Sequence, residues 1–308
     1  MMVKLPQIAV LLSSYNGEKF IEEQIQSILN QQNVSIHLLI RDDGSTDRTL
    51  EIAELFATKD TRISIIKGKN KGVVLSFFDL LQNVDENFDF YAFADQDDVW
   101  KPNKLEKAAE MMSKSEVIVP AMYYSRLEFT DEHLNTIGYS IIPKNRGFEN
   151  AIVQNQATGC TIVINGAARK IIITRLPSWA LMHDWWFYLV VSAMGDIYYD
   201  EFAGILYRKH GNNVTPATPW FALELYARVK RYLGHGKIPE KVTDQVREFY
   251  KLYQDILSKD QQKIINGFLT ARGSGFFKRL RYILTMPVRR NTPFDNIILR
   301  MLILIGKF

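Results

Sequence analysis

The sequence predicts an α/β protein built on a mainly parallel β-sheet with helices on both faces. In the first third of the chain, short apolar runs alternate with amphipathic helical patterns, and the loops between them are short. This alternation is typical of parallel strands that are connected by helices, the doubly wound arrangement. The chain of 308 residues is 47% hydrophobic and 23% charged, as expected for a globular protein with a large core.

Four strands are predicted in this first third, where apolar and β-branched residues cluster: IAVLLS (8–13), IHLLIRDD (36–43), RISIIKG (62–68) and FDFYAFAD (88–95). Three helices are predicted between them, over residues 20–31, 45–57 and 72–82. The first helix would carry one continuous apolar face, which consists of Phe20, Ile21, Ile25, Ile28 and Leu29. That face suits packing against the sheet.

The second half of the chain has a weaker pattern. Helices are predicted over residues 104–115, 166–173 and 184–193, and strands over residues 116–125, 160–165 and 196–210. From about residue 219 the chain is predicted to be helical, with amphipathic stretches over residues 219–233 and 240–257. The last 30 or so residues are basic and apolar. We therefore predict a helical, basic C-terminal extension.

The ends of the chain and its single cysteine narrow the cellular context. The first 20 residues lack a charged leader, a long apolar stretch and a cleavage site, so we expect no signal peptide. No apolar run approaches the roughly 18–20 residues of a transmembrane helix. Cys160 is alone, which excludes an intramolecular disulfide and a zinc site built from cysteines. A lone cysteine suits a reducing cytosol.

Three polar clusters each follow a predicted strand: SSYNG (13–17), RDDGSTD (41–47) and DQDD (95–98). Ligands of doubly wound sheets bind beyond the carboxyl ends of the strands, so the clusters should meet at one functional edge. Asp95 and Asp97 have the spacing and chemistry to bind Mg²⁺ or Mn²⁺, which prefer oxygen ligands. The cluster taken alone could also be a solvated acidic loop, with Asp98 capping the next helix.

The stretches VLLSSYNGEKF, LLIRDDGSTDRT and FADQDDVWKPNKL occur in this order, and together they resemble the family 2 inverting glycosyltransferases of the GT-A fold. The resemblance covers residues from about 5 to 210. It implies a GT-A catalytic domain over residues 1–215, with a nucleotide-sugar half (1–115) and an acceptor half (116–215). Residues 216–308 would form the helical C-terminal region.

The resemblance assigns roles in the nucleotide-sugar half. It implies that Ser13 and Tyr15 contact the nucleoside diphosphate and that Asp43 accepts a hydrogen bond from the pyrimidine N3–H. Asp95 and Asp97 match the first and last acids of the DxD element, with Asp97 as a direct metal ligand and Asp95 as a metal or donor contact. Turn or capping roles for Ser13 and Asp43, and surface packing for Tyr15, stay open.

The acceptor half carries HDWW and YRKHGNN, for which the resemblance also implies roles. Asp184 matches the general base, although many members have a Glu–Asp pair where this chain has His183–Asp184. Trp185 and Trp186 would line the acceptor sugar; the alternative is a helix-capping Asp184 with two core tryptophans. These motifs are similar to those of the bacterial rhamnosyltransferase-like branch, which builds rhamnose-containing cell-wall or capsular polysaccharides.

Two further residues are implied by the same resemblance. His210 matches a position that completes the metal shell in several relatives, and imidazole is a common metal ligand. Gly159 matches a position where the backbone approaches substrate. A structural histidine and a tight-turn glycine are the alternatives.

The expected reaction is a single displacement that inverts the anomeric configuration. Asp184 would take the proton of an acceptor hydroxyl, and Mn²⁺ or Mg²⁺ held by Asp97, Asp95 and His210 would stabilise the leaving diphosphate. The expected donor is dTDP-rhamnose, and the expected acceptor is a lipid-linked glycan. A UDP-hexose donor of the same fold, or a non-catalytic nucleotide-binding module, is the alternative.

Charge is distributed unevenly along the chain. From Thr270 to the end, eight basic residues face one acid, Asp295, so this segment carries +7 and the remainder −3. With the apolar helix predicted over residues 293–308, it resembles an interfacial anchor for an anionic membrane. Packing on the catalytic domain or a partner subunit is the alternative. We expect a peripheral protein on the cytoplasmic side of the cell membrane and no nucleic-acid binding.

Overall fold

The computed structural model describes residues 4–209 and 238–308. The chain divides into two compact units. The first unit comprises Met1–Ile142, Ala157–Leu176 and Met182–His210. The second comprises Pro143–Gln156, Pro177–Leu181 and Gly211–Phe308. The helix predicted over residues 219–233 and the metal ligand predicted at His210 lie outside the described residues.

The first unit is built on a seven-stranded sheet with the order β10-β6-β9-β4-β1-β2-β3. Its strands are β1 (Gln7–Ser14), β2 (Ser35–Asp42), β3 (Ile63–Lys67), β4 (Phe90–Ala94), β6 (Ala121–Ser125), β9 (Val163–Asn165) and β10 (Asp196–Asp200). β9 runs antiparallel to both of its neighbours, whereas the other pairs of this sheet are parallel. The mainly parallel sheet predicted from the sequence is therefore confirmed.

Helices of the first unit connect these strands. They are α1 (Ile21–Leu29), α2 (Thr49–Lys59), α3 (Val73–Asn83), α4 (Lys104–Met112), α6 (Gly166–Thr174) and α7 (His183–Met194). The short α5 (Phe148–Ala151) belongs to the second unit. All six longer helices lie where the sequence predicted them, and their ends differ from the predicted ends by a few residues.

The core forms around the central strand β1, in which five consecutive residues, Ile8 to Leu12, are fully buried. Alternate side chains of a strand point to opposite faces, so a continuous buried run needs cover on both faces. Ile8, Val10 and Leu12 belong to one apolar cluster with Ile21 and Ile25 of α1. Helix α3 also contacts β1 and is itself in contact with α6 and α7. The sheet is thus covered by two groups of helices.

A second, smaller sheet was not predicted. It has the order β5-β11-β7-β8, with strands β5 (Val99–Trp100), β7 (Glu128–Thr130), β8 (Thr136–Tyr139) and β11 (Ile205–Arg208). The strand predicted over residues 196–210 was wrong in extent, because it contains β10 and β11, which lie in different sheets. The first part of the strand predicted over residues 116–125 is also irregular, since β6 begins at Ala121.

The second unit is helical, with α8 (Ile238–Tyr253), α9 (Lys259–Gly273), α10 (Phe276–Thr285) and α11 (Pro293–Leu304) each in contact with the next. Ser258 and Gln261 form a capping box that begins α9. Thr292 caps α11 by accepting a hydrogen bond from the Asp295 N–H, and Pro293 occupies the first turn. Within the part of the chain that is described, no helix is long and apolar enough to cross a membrane.

Candidate active site

The three polar clusters meet at one edge of the large sheet, as predicted. β1 is parallel to both β2 and β4, and the register pairs Ser14 with Asp42 and Leu12 with Ala94. Parallel strands in this register end together, so the loops that follow them are neighbours. SSYNG (13–17) and RDDGSTD (41–47) extend across the strand ends at Ser14 and Asp42, and DQDD (95–98) directly follows Ala94. These are the clusters singled out in the sequence.

The side chain of Gln96 joins two of these loops. Its Oε1 accepts a hydrogen bond from the Tyr15 N–H at 2.8 Å, and its Nε2 donates to the Tyr15 carbonyl at 3.1 Å. A Cβ on Gly17 would lie 2.2 Å from the same Oε1, so the amide occupies space that only a glycine leaves open. The Tyr15 side chain remains exposed. The contact between Gln96 and the Tyr15 backbone, which we call the loop clasp, was not predicted.

Asp43 is buried in a network of donors. Its Oδ1 accepts hydrogen bonds from the Arg41 guanidinium and from the Lys71 N–H, the latter at 2.8 Å. Its Oδ2 accepts one from the Gly72 N–H at 2.9 Å. A carboxylate offers about four lone-pair positions, so Oδ2 keeps room for one more donor. The geometry is compatible with the predicted contact to a pyrimidine N–H and also gives Asp43 a structural role.

Ser13 is linked to the same network through α3. Its hydroxyl lies 2.6 Å from the Ser76 hydroxyl, and Ser76 also accepts a hydrogen bond from Arg41 at 3.2 Å. Ser76 and Arg41 are fully buried. The end of β1 is therefore held to the buried Arg41–Asp43 pair through hydroxyl groups.

The acidic loop contains carboxylates in two different environments. Asp95 and Asp97 are half-buried, whereas Asp98 is fully buried. Burial, followed by the negative charges of Asp97 and Asp184, raises the pKa of Asp95 to about 7. Asp184 is far away in the sequence, but its carboxylate binds the Gly159 N–H, and the Sγ of the neighbouring Cys160 lies within 4.8 Å of an Asp95 carboxylate oxygen. The predicted base and the predicted DxD acids are thus close together.

Asp98 is fully buried and does not cap the next helix, α4, so the capping role considered for it was wrong. Neither of its carboxylate oxygens has a hydrogen-bond partner among the described residues. Burial, followed by the charges of Asp97 and Asp95, raises its pKa well above the usual range. Lys104 is also fully buried, with its ammonium 3.5 Å from the centre of the Trp100 ring, and burial lowers its pKa to about 7. Burial thus disfavours the charged forms of both Asp98, the last residue of the acidic loop, and Lys104.

The carboxylates fit a divalent cation. Ligand atoms of Asp95, Asp98 and Cys160 all lie within 4.8 Å of one another. The predicted ligand Asp97 is not in this group, but its negative charge helps to raise the pKa of both aspartates. Carboxylate oxygens are the ligands that Mn²⁺ and Mg²⁺ prefer, and a cation would relieve the repulsion that raises the Asp95 pKa. The fully buried Cys160 was not predicted here.

Asp184 occupies the second position of α7 and is almost fully buried. Its Oδ2 accepts a hydrogen bond from the Gly159 N–H at 3.1 Å, and its Oδ1 accepts one from the Trp185 N–H at 2.6 Å. These two bonds orient the carboxylate. A Cβ on Gly159 would lie 2.9 Å from the His183 Nε2, so the close approach that requires glycine is to α7 of the protein itself.

The residues beside Asp184 are mostly structural. His183 stacks on Phe77 with ring centres 4.0 Å apart, and burial lowers its pKa to about 3. It is therefore an uncharged ring in an aromatic core. Trp186 is fully buried, so the prediction that it lines the acceptor sugar is wrong, and Trp186 is a core residue. Trp185 is half-buried and keeps a surface that could face a ligand.

Arg208, which was not predicted, supports the acidic loop from β11. Its Nε donates to the Asp97 carbonyl at 3.1 Å, its Nη1 donates to the Glu132 carbonyl at 2.6 Å, and its Nη2 pairs with Glu23 of α1. The guanidinium is buried and lies over the Phe20 ring. The sequence contained one signal for this role, the arginine that ends the apolar run ILYR. A charged side chain in a buried strand needs fixed hydrogen-bond partners, so its position indicated a structural contact.

The sequence is similar to known glycosyltransferases. Residues 9–173 match the model of glycosyl transferase family 2. The chain is 34% identical over 221 residues to the dTDP-rhamnosyl transferase RfbG of Shigella flexneri, an alignment that covers 66% of this chain and 72% of RfbG. It is 29% identical over 159 residues to the UDP-Glc:alpha-D-GlcNAc-diphosphoundecaprenol beta-1,3-glucosyltransferase WfgD of Escherichia coli, covering 51% of this chain and 59% of WfgD.

A solved structure confirms the fold. The crystal structure of residues 1–349 of S. aureus TarS in complex with UDP aligns with a TM-score of 0.57 at 15% identity. The alignment covers 92% of this chain and 76% of TarS 1–349. At this identity the likeness shows the fold alone, and the predicted GT-A fold is confirmed. The matched family model spans more than half of the sequence and includes all three strand-end clusters, and the chain therefore belongs to glycosyl transferase family 2.

Proposed function

We propose that this glycosyltransferase moves L-rhamnose from dTDP-rhamnose to a hydroxyl of a growing cell-wall or capsular polysaccharide, with inversion at the anomeric carbon. The dTDP-rhamnosyl transferase RfbG, to which the chain is 34% identical, supports this choice of donor. A UDP-hexose donor is the second candidate, since WfgD is named for UDP-Glc. The relatedness to WfgD, named for a diphosphoundecaprenol acceptor, supports a lipid-linked acceptor.

The proximity of Asp184 to the acidic loop carries the mechanism: Asp184 binds the Gly159 N–H, and the next residue, Cys160, has its Sγ within 4.8 Å of an Asp95 carboxylate oxygen. The carboxylate of Asp184 takes the proton of the acceptor hydroxyl, and the oxygen forms a bond to the anomeric carbon. The bond between that carbon and the donor diphosphate breaks in the same step, and the diphosphate leaves with the electron pair. Attack opposite to the leaving group inverts the configuration.

Other residues of this chain prepare that displacement. The N–H groups of Gly159 and Trp185 hold Asp184 in one orientation, which lowers the entropic cost of reaching the reactive geometry. Asp43 would accept the pyrimidine N–H at the free lone pair of Oδ2. Asp95 and Asp97 would hold Mn²⁺ or Mg²⁺, which when bound supplies positive charge for the leaving diphosphate. His210 remains a proposed further ligand.

Transfer assays with a panel of nucleotide sugars test the proposal. We expect release of dTDP from dTDP-rhamnose in the presence of an acceptor, and NMR of the product should show the inverted anomeric configuration. Asp184→Asn should lower kcat by at least about 100-fold while the donor still binds, because general base catalysis contributes about this much. Turnover of UDP-hexoses alone would favour the second donor. Donor binding without any transfer would favour a non-catalytic nucleotide-binding module.

A further inference from the structure

We propose that the last two helices of the second unit form a docking surface for an anionic phospholipid membrane. Helices α10 and α11 contact each other within that unit. They leave a set of large apolar side chains exposed by 38% to 83%, which we call the C-terminal face: Phe276, Phe277, Leu284, Phe294, Ile297, Met301 and Ile305. Exposed apolar residues are ordinary when single, but a group on two neighbouring helices indicates an interaction site.

The exposed apolar residues of α11 recur at the spacing of one helix face. Phe294, Ile297 and Met301 are three and four residues apart, and Ile305 follows four residues later, so all four lie on one side of the helix axis. Other α11 residues are buried within the protein, namely Leu299, Leu302 and Ile303. A helix with one apolar side should be polar where it meets water. α11 is also apolar on the side that faces solvent, so packing within the protein does not explain these exposed side chains.

The charges around the C-terminal face indicate what covers it. Four basic side chains of this region are exposed: Lys278, Arg281, Arg289 and Lys307. Asp295 is the only acid after residue 273, and it is buried and accepts a hydrogen bond from the Thr292 hydroxyl at 2.6 Å. Every exposed charged side chain of residues 274–308 is therefore basic, which complements an anionic surface.

The arrangement on α10 fits a lipid interface in particular. Phe277, Arg281 and Leu284 are four and three residues apart and so share one side of the helix. Arginine and lysine can lay their aliphatic stems along apolar surface and extend the charge to lipid phosphates. A second copy of this chain fits less well, because a two-fold contact would place the same basic side chains opposite each other. The surface would lie on the membrane without crossing it, consistent with the length of the described helices.

Co-sedimentation of the full-length protein with lipid vesicles tests the proposal without donor or acceptor. We expect binding to vesicles of phosphatidylcholine with phosphatidylglycerol, weaker binding at high salt, and little binding to phosphatidylcholine alone. Lys278→Glu combined with Arg281→Glu should weaken binding to the anionic vesicles at least about tenfold. Ile297→Ser combined with Met301→Ser should weaken it to a similar degree, because these side chains would enter the lipid.

Two matched controls change exposed residues that do not belong to the C-terminal face. Val117→Ser with Ile118→Ser removes side chains that are 88% and 82% exposed on the first unit, and vesicle binding should not change. Lys251→Glu reverses an exposed charge on α8 and should likewise have little effect. Equal binding to neutral and anionic vesicles would overturn the proposal. So would a loss of self-association, seen by sedimentation velocity, in place of a loss of vesicle binding.

Discussion

At the scale of single residues, the neighbours of Asp184 explain how its carboxylate can act as a base. His183 precedes it directly, and a charged imidazolium there would stabilise the carboxylate and make it a weaker base. Stacking on Phe77 in a buried position keeps the ring of His183 uncharged instead. The Gly159 N–H then supplies a neutral hydrogen bond that orients Asp184. His183 therefore does not neutralise Asp184, and the neutral Gly159 N–H orients the carboxylate.

The buried His183 makes a prediction about the pH dependence of stability. Its pKa is lowered from 6.5 to about 3 on folding, so between these values the unfolded chain binds a proton that the folded chain excludes. Stability therefore falls as the pH drops below 6.5, by up to about 1.4 kcal/mol per pH unit from this group. In His183→Leu this contribution should vanish, so the difference between wild type and variant in the free energy of unfolding should vary with pH.

Urea denaturation at a series of pH values measures that difference. The control is His133→Leu, since His133 is exposed and its removal leaves the buried ring of His183 in place, so this variant should keep the loss of stability at low pH. The same pH dependence for both variants would contradict the assignment of His183 as a neutral buried ring.

At the scale of elements, the site depends on how loops after different strands are held together. The loop clasp of Gln96 connects the loop after β1 to the acidic loop, and Arg208 of β11 holds the acidic loop from the other sheet. Each of these contacts ends on a loop backbone, at Tyr15 or Asp97, and together they set the distance between the proposed diphosphate and metal contacts. Such contacts rely on side chains from distant parts of the sequence.

Substitutions in the loop clasp should weaken donor binding more than chemistry. Gln96→Ala removes two hydrogen bonds, each worth about 1 kcal/mol, so the KM for the donor should rise about tenfold with a smaller change in kcat. Gly17→Ala should have the same effect, because its new Cβ would displace the Gln96 amide. Initial-rate kinetics separate the two parameters.

The matched control for the clasp is Gln26→Ala, because Gln26 is an exposed glutamine of α1 whose amide donates to Glu22. It should leave both parameters close to wild type. A fall in kcat without a change in KM for Gln96→Ala would contradict a positioning role in donor binding.

The four-stranded sheet, like the loop clasp, was not predicted from the sequence. β5, β7 and β8 have two, three and four residues, which is too short for a hydrophobic period to be recognised. β5 and β7 both pair with β11, which lies far from them in the chain, and β8 pairs with β7. By contrast, the long periodic helices and the apolar strands β1 and β4 were predicted because each carries its own pattern of burial.

At the scale of the whole molecule, a ligand that binds only the folded state stabilises it. We expect dTDP with Mn²⁺ to raise the Tm by several degrees, since a ligand at about 100 times its Kd adds about 2.7 kcal/mol. Removal of Mn²⁺ by EDTA should abolish most of this rise, because Asp95, Asp97 and Asp184 then repel each other and the diphosphate without compensation.

Differential scanning fluorimetry of wild type and Asp97→Asn provides the measurement. The variant should lose the Mn²⁺-dependent part of the shift while its Tm without ligand stays close to wild type. If dTDP stabilises both proteins equally in EDTA, the metal assignment to Asp97 is incorrect.

The sequence by itself determined the family, the alternation of strands and helices, and the three polar clusters at the strand ends. These features are local: hydrophobic periodicity and short motifs are written in consecutive residues. It also identified Asp184 at the start of a helix, because HDWW is contiguous.

Only the tertiary structure decided which side chains face the site. It buried Trp186 and left Trp185 partly exposed, turned Asp98 inward beside Lys104, and placed Gln96 against the Tyr15 backbone. Each outcome depends on contacts between segments far apart in the chain, and on the cost of burying a charge or polar group without a partner. Hydrophobic periodicity and short motifs do not encode those distances. The sequence therefore identified candidate site residues, but it did not determine the directions in which their side chains point.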